Sequence, residues 1–296
     1  MPQPIRAFRS LTPRAATSIV VVALIVVLAV GAPVITAAIG VDPYTYHPET
    51  LGPDSAPAGA FGGISVEHWF GVEPLSGRDL FAIVVYGART SLLVGVVSAL
   101  LTTVAVLVIG LTAGYFGGWL DRVVSGITNV LFGFPALLFM IALGAVVPPD
   151  ASRVALVIAV MAIFGWAGGA RVIRSQTMTL RNRDFVRYAE ATGASTWHIL
   201  VRELLPNLRG TVIVFLTLYV PAFIGTEAAL SFLGVGVPAP TPSWGRSIGD
   251  SINWVQTDPW YLLFPGAALV LITLAINEIG EALRQRLATP AWKSVA

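Results

Sequence analysis

The fold of this chain is decided by residues 89–121, which read RTSLLVGVVSALLTTVAVLVIGLTAGYFGGWLD. Between the two charged ends, every residue from 90 to 120 is uncharged and most are aliphatic. A helix needs about 20 predominantly apolar residues to cross the hydrocarbon core of a bilayer. This stretch is longer than that, and it therefore predicts a transmembrane helix.

Five further intervals of the same kind flank this one. Each is an uncharged, mainly apolar segment between two charged residues, and they run over residues 14–42, 122–150, 153–171, 209–227 and 258–278. We therefore expect an all-α integral membrane protein with six transmembrane helices. The first interval could also be read as a cleaved signal peptide, but it is longer than a typical hydrophobic region and no clear A-x-A site follows it.

The overall composition agrees with a membrane protein. Of the 296 residues, 55% are hydrophobic and 11% are charged, against roughly a quarter charged in an ordinary soluble domain. The chain has no cysteine, which excludes disulfides, thiolate metal sites and thiol catalysis. His47, His68 and His198 are far apart and form no metal-binding motif. A net charge of +2 on a mostly apolar chain gives no reason to expect nucleic acid as a partner.

The basic residues predict the orientation. If the N-terminus is inside, all but four of the 18 lysines and arginines fall on the inner side, and the four exceptions are Arg78, Arg89, Arg153 and Arg246. Such a bias follows the positive-inside rule. We expect both termini in the cytoplasm and the protein in the cytoplasmic (inner or plasma) membrane.

The chain divides into five parts on this basis. We expect a cytoplasmic N-terminus at 1–15, a first transmembrane helix at 16–41 and an extracytoplasmic segment at 42–85. A five-helix transmembrane domain at 86–287 follows, with an inner loop at 174–209 and an outer loop at 234–258, before a cytoplasmic tail at 288–296.

Glycines and prolines inside the spans indicate close packing and bends. Gly110, Gly114 and Gly118 are spaced four apart, a spacing that lets helix backbones approach closely in lipid; we favour packing between helices of this chain. Pro135, Pro221 and Pro265 lie within spans three, five and six. Proline lacks an N–H group and tends to kink a helix.

The inner loop predicts two short helices. Asp184 is placed to cap the first, and Gly193 is placed to end it in a left-handed conformation. Ser195 is placed to cap the second, whose apolar face would hold Trp197, Leu200, Val201 and Leu204. Pro206 would interrupt or redirect that helix before span five. The periodicity alone favours an amphipathic helix lying at the membrane interface.

The order of residues in this loop resembles the cytoplasmic loop of permeases in binding-protein-dependent ABC importers. Their pattern is Glu-Ala-Ala, three residues, Gly, then nine residues before Ile-x-Leu-Pro. The residues that match are Ala189, Gly193, Leu205 and Pro206, and those that depart are Arg187, Tyr188 and Glu203.

Further runs resemble the same family in the same order. They are Gly77-Arg78-Asp79, Tyr86-Gly87-Ala88-Arg89-Thr90-Ser91-Leu92, Gly114-Tyr115-Phe116-Gly117-Gly118, Glu227-Ala228-Ala229-Leu230-Ser231-Phe232-Leu233-Gly234 with Ser243-Trp244-Gly245, and Pro259-Trp260 with Phe264-Pro265-Gly266. Together they are similar to the C-type subunit of dipeptide, oligopeptide and nickel permeases.

The resemblance implies a function and a set of partners. The chain would be a permease subunit that moves dipeptides or short oligopeptides. It would pair with a second homologous permease, two ABC ATPase subunits that hold ATP and Mg²⁺, and an extracytoplasmic substrate-binding protein. The implied ATPase-coupling residues are Asp184, Ala189, Gly193, Ala194, Trp197, Leu205 and Pro206, and the outer-loop or gate residues are Glu227, Ser231, Phe232, Gly234 and Trp244.

No enzyme site is visible in the sequence. The only lysine, Lys293, has no Gly-rich loop before it, so a phosphate-binding GxxxxGK[ST] motif is impossible, and we expect this chain to bind no cofactor. The alternatives are a secondary transporter or channel, and an ABC permease for nickel or another small cargo. The outer loop is equally consistent with partner docking or gating and with an interfacial cap in which Trp244, Trp254 and Trp260 anchor at the headgroups.

Overall fold

The computed structural model describes residues 12–146 and 152–288. The first eleven residues, the end of the third uncharged interval and residues 289–296 of the expected tail, Lys293 among them, lie outside this part. The described helices are α1 (Pro13–Ile39), α2 (Leu80–Phe116), α3 (Gly118–Gly133), α4 (Ala136–Val146), α5 (Arg153–Arg181), α6 (Asp184–Ala191), α7 (Thr196–His198), α8 (Leu205–Phe232), α9 (Trp244–Ser251) and α10 (Trp260–Ala288). A π-helical turn, Ile199–Leu204, joins α7 to α8.

Five helices are long and apolar enough to cross a membrane, and a bent pair supplies a sixth crossing. The five are Pro13–Ile39, Leu80–Phe116, Arg153–Arg181, Thr196–Phe232 and Trp260–Arg286. α3 and α4 meet at 75°, and the break falls at Pro135, which removes a helical hydrogen bond and disfavours a helical backbone at the preceding Phe134; Phe134 is extended, with ψ 126°. The expected all-α bundle with six crossings is confirmed when the pair is counted as one span. Pro221 and Pro265 lie inside α8 and α10 without ending them.

Two helices extend beyond the charged residues that bound their uncharged intervals. α2 begins at Leu80, where Oδ1 of Asp79 caps it by accepting a 2.7 Å hydrogen bond from the Ala82 amide. Residues 80–85, which the sequence assigns to the outer segment, are therefore helical. α5 likewise continues past Arg171 to Arg181. A charge excludes a residue from lipid but not from a helix, so the helices run on into the polar regions.

α2 packs closely against α5. A Cβ atom built on Gly110 would lie 2.7 Å from Cβ of Ile173, and one on Gly114 would lie 2.7 Å from the carbonyl oxygen of Arg174. Only glycine permits this approach, and the two residues pack helices of the same chain. Gly118 differs, because it starts α3 with φ +59° and a Cβ there would meet nothing within 4 Å.

The loops gather at the two ends of the bundle. One end, which we call the inner end after the orientation expected from the sequence, carries the last turns of α2 and α5 together with α6 and α7. The outer end carries the start of α2, the end of α8, α9 and the start of α10, and residues 42–79 fold over it. These two ends hold the candidate sites.

Candidate functional site

The first helix of the inner loop begins one residue earlier than a cap at Asp184 would require. Arg183 occupies the N-cap position of α6, without a side-chain hydrogen bond, and Asp184 is the first helical residue. The prediction that Asp184 caps this helix is therefore wrong. Its carboxylate lies in the first turn, where negative charge interacts favourably with the helix dipole.

The turn between the two short helices has the predicted backbone. α6 ends at Ala191, and Gly193 has φ +80°. The amide of Ala194 donates a 3.0 Å hydrogen bond to the carbonyl of Ala189, which closes the turn. Oγ of Ser195 then accepts a 3.3 Å hydrogen bond from the amide of His198. The left-handed glycine and the serine cap are both confirmed.

The predicted apolar face of the second helix is correct for Leu204, which is buried, and for Leu200, which packs half-buried in the same cluster, but it is wrong for Trp197. Ile199 and Leu204 are buried, whereas Trp197 is 74% exposed. The π turn explains the difference, because the amide of Leu205 bonds to the carbonyl of Leu200, five residues earlier. Such a turn holds more residues than an α-helical turn, so the 3.6-residue period no longer identifies the buried face.

The helix also passes through Pro206 instead of breaking there. Thr196–Phe232 forms one continuous rod of 37 residues, and Pro206 occupies a first-turn position of α8. Proline in an α-helix lacks an N–H and crowds the carbonyl four residues earlier. The wider π turn immediately before Pro206 relieves this crowding, so the predicted interruption is wrong.

The inner loop is fixed to the end of the bundle by apolar and polar contacts. Val186, Ala189 and Ile199 are buried in one cluster with Ile173 of α5 and Leu111 of α2. The hydroxyl of Tyr115 donates a 3.2 Å hydrogen bond to Oε1 of Glu190, and the Arg181 guanidinium lies 5.5 Å from the Tyr115 ring centroid. The two short helices therefore move with α2, α5 and α8.

The opposite face of the loop is open to solvent. Tyr188 is 73% exposed, nearly as much as Trp197. Between the two helices lies an open pocket of about 480 Å³, and its lining includes Asp184, Ala189, Ala194, His198 and Glu203. Aromatic side chains that solvent surrounds on a rigid support are typical anchors of protein interfaces. Of the other predicted coupling residues, Leu205 is half-buried and Pro206 is exposed.

Glu227 is the centre of the outer site. Its side chain is fully buried near the outer end of α8. Three hydroxyl groups donate 2.7 Å hydrogen bonds to its carboxyl oxygens: Ser231 and Ser243 to Oε1, and Ser91 of α2 to Oε2. We call these four residues the Glu227 cluster. It joins α2, α8 and the start of α9.

Trp244 lies inside the protein and not at the headgroups. It is 1% exposed, and its Nε1 donates a 2.8 Å hydrogen bond to the carbonyl of Val84. The interfacial interpretation is therefore wrong for this residue. The other two predicted outer residues, Phe232 and Gly234, are exposed and take no part in the cluster.

Sequence reasoning missed Ser91 and Ser243 as partners of Glu227. A carboxyl group in an apolar span must find hydrogen-bond donors inside the protein, but the sequence does not indicate which ones. It also missed a second outer cluster, in which Glu73 accepts hydrogen bonds from Arg78 at 2.7 and 2.9 Å and from Tyr261 at 2.7 Å. Burial alone raises the pKa of Glu73, but Arg78 outweighs it and holds this pKa below its ordinary value of 4.5.

Metal ligands do not converge anywhere in the two described stretches. No group of three or more histidine, aspartate or glutamate side chains there has the geometry to hold a metal ion. Both sites instead consist of hydrogen bonds, packing contacts and exposed aromatic side chains. Contacts of these kinds suit helices that change position and a surface that binds another protein.

Comparison with known proteins gives the same picture. Residues 105–289, more than half of the chain, match a family described as the binding-protein-dependent transport system inner membrane component. This region contains the inner loop, α8 and α9. Ser91 and the outer segment precede it.

Several curated proteins are similar over most of their length. The dipeptide transport system permease protein DppC of Alkalihalophilus pseudofirmus is 38% identical over 243 residues, which cover 81% of this chain and 78% of that protein. The oligopeptide transport system permease protein OppC of Bacillus subtilis is 34% identical over 274 residues, 92% and 84% of the two chains. The glutathione transport system permease protein GsiD of Pectobacterium atrosepticum is 38% identical over 232 residues, which cover 78% of this chain and 75% of that protein.

Proposed function

This chain belongs to the binding-protein-dependent transport system inner membrane components, and from that premise we propose that it is the permease subunit of an ATP-driven importer of dipeptides or short oligopeptides. The observation that carries the proposal is the inner loop. It offers a rigid, solvent-facing surface at the end of a membrane bundle, within the region that matches the family.

The structure of the loop suits the transmission of force. Its two helices are short, are joined by a tight glycine turn and are packed onto α2 and α5. The second is continuous with α8. A partner that binds Tyr188 and Trp197 and moves would therefore displace α8 as a rigid body.

The partners follow from the class of transporter. We propose that ATPase subunits bind the inner loop, that a second homologous permease packs beside this chain, and that an extracytoplasmic binding protein delivers substrate to the outer end. ATP and Mg²⁺ would be held by the ATPase subunits. Both termini would be cytoplasmic, because that arrangement places most of the basic residues inside.

Peptides are the cargo that the relatives support best. The names of the compared proteins specify dipeptides, oligopeptides and glutathione, which is itself a short peptide. The relatives named for dipeptide or oligopeptide transport align with 75% or more of this chain. We therefore place short peptides before nickel or another small cargo.

Reconstitution tests the function directly. The chain, its partner permease and the ATPases would be placed in proteoliposomes with the binding protein on the substrate side, and uptake of labelled dipeptide would be measured. We expect uptake that requires ATP and persists when a protonophore abolishes the proton gradient. Uptake that follows the proton gradient and ignores ATP would indicate a secondary transporter. The isolated subunit serves as a control and should hydrolyse no ATP.

A further inference from the structure

The inner and outer loops are connected by one helix. The rod Thr196–Phe232 starts within the inner loop and ends where the outer loop begins. Its first residues belong to the surface proposed to bind a partner. Its last turns carry Glu227 and Ser231, both buried. Any displacement of the inner loop along or across the rod must therefore reach the outer end.

The outer loop packs tightly against this helix. A Cβ atom on Gly245 would lie 2.2 Å from the carbonyl oxygen of Ala228, and one on Gly236 would lie 2.3 Å from Oγ of Ser231. The hydroxyl of Ser231 also accepts a 3.0 Å hydrogen bond from the amide of Val237. Both ends of the segment between Gly236 and Gly245 thus rest on α8.

Ser243 shows that the loop is bound to Glu227 specifically. It occupies the N-cap position of α9, where a serine hydroxyl usually accepts a hydrogen bond from the helix. Here the hydroxyl makes no capping bond and donates instead to Oε1 of Glu227. The serine at the start of α9 therefore bonds to α8 instead of capping its own helix.

From these contacts we propose that Glu227 is a positioning residue that couples movement of the rod to the outer loop. The proposal rests on the function proposed above. When the inner loop is displaced, Glu227 draws Ser243 and α9 with it, and the outer end opens or closes. The bond from Ser91 connects Glu227 to α2 and is not needed to move the loop.

Because this chain has no cysteine, two introduced cysteines would be its only labelling sites, and accessible cysteines of the partner subunits would be replaced first. Two cysteines, at exposed Ala239 of the outer loop and exposed Val66 of the outer segment, would carry spin labels. Their distance would be compared between the nucleotide-free and the ATP-trapped complex, alongside peptide uptake per ATP. We expect a change of distance in the otherwise unaltered complex. In Ser243→Ala we expect this change to be lost and uptake per ATP to fall roughly tenfold, as the loss of one hydrogen bond to a carboxylate allows.

Two matched variants separate coupling from a general loss of structure. Ser91→Ala removes an equivalent hydroxyl from the same carboxyl group and should keep the change of distance. Glu227→Gln should keep most of the change of distance, because the glutamine side chain can accept hydrogen bonds from Ser231 and Ser243 and donate one to Ser91. Glu227→Ala should lose the change of distance. Complex assembly is checked for each.

Three outcomes would overturn the coupling. They are a wild-type change of distance in Ser243→Ala, an equal loss in Ser91→Ala, and a loss in Glu227→Gln as complete as in Glu227→Ala. Failure of the unaltered complex to take up peptide would instead refute the proposed function, and with it the premise of the coupling. The two failures are thus distinguishable.

Discussion

The hydroxyl of Tyr261, at the start of α10, donates a 2.7 Å hydrogen bond to Oε1 of Glu73, 188 residues earlier in the outer segment. The same carboxylate accepts hydrogen bonds from Arg78 and from Ser76. One buried carboxylate therefore ties the outer segment to the membrane bundle.

This arrangement predicts that the outer segment loosens in acid. Because Arg78 lowers the pKa of Glu73 in the folded protein, the stabilisation is fully present above the unfolded value and is lost as the pH falls through the folded value. Hydrogen exchange of the amides in residues 62–80, corrected for the intrinsic rate at each pH, should show this loss as the pH falls below the ordinary glutamate value of 4.5.

Two variants check the assignment to Glu73. Glu73→Gln should lower the protection at neutral pH and remove its acid dependence. Glu67→Gln, which changes an exposed residue of the same segment, should keep the wild-type profile. An unchanged acid profile in Glu73→Gln would show that another group is responsible.

The glycine turn of the inner loop predicts a variant that still folds but no longer couples substrate to ATP hydrolysis. Gly193→Leu introduces about 1 kcal/mol of backbone strain, and its Cβ atom would meet nothing within 4 Å in this chain. The new side chain would meet the docked ATPase instead. We expect the variant to insert in the membrane but to lose substrate-stimulated ATP hydrolysis in the reconstituted complex. Gly40→Leu is the matched control, since Gly40 has φ +86°, an equally open position and a place at the outer end.

Trp197→Ala should behave like Gly193→Leu for a different reason. The side chain is mostly exposed, so its removal should change the free energy of unfolding by no more than about 0.5 kcal/mol. As an interface anchor, however, it should contribute about 2 kcal/mol or more to ATPase binding. Binding of the ATPase to the purified permease pair measures this. Wild-type affinity in Trp197→Ala would contradict the docking surface.

Close packing of α2 on α5 predicts a position that tolerates no side chain. Gly114→Leu should lower the stability by about 1–3 kcal/mol, as overpacking does, because a Cβ there would meet the Arg174 carbonyl and Thr177. Thermal unfolding in detergent would show it. Gly126→Leu in α3 should have little effect, since a Cβ on Gly126 meets nothing within 4 Å, and equal losses in both variants would argue against this contact.

Reporter fusions test the orientation. Residues 60 and 190 lie at opposite ends of the bundle, since three crossings separate them: α2, the bent pair α3–α4, and α5. A reporter fused after residue 190 should be active as a cytoplasmic protein, and one fused after residue 60 as an external protein. Activity on the same side for both fusions would refute the proposed topology.

The number of membrane crossings was predictable from sequence because it depends on a local property. An uncharged stretch of sufficient length suffices, and Pro135 marks the sharp bend between α3 and α4. Helix ends were less predictable, because Arg89 and Arg171 are charged and yet helical. The left-handed Gly193 and the Ser195 cap were also local, and both were correct.

The functional contacts were predictable only in part. The family resemblance pointed to Glu227, but Ser91 is 136 residues away from it and no local pattern connects them. The π turn changed which side of the inner helix is buried, and so exposed Trp197. Both features arise from packing between distant segments.

The lengths of α2 and the rod have a consequence for where a partner protein can sit. Each has 37 residues, and at 1.5 Å per residue each measures about 55 Å. A bilayer is about 40–45 Å thick including its headgroups, and a tilt of about 20° shortens the vertical reach by only a few ångströms. For each helix, the parts that extend beyond the headgroups at its two ends therefore add up to roughly two turns. A partner docked on the inner loop would clear the lipid headgroups.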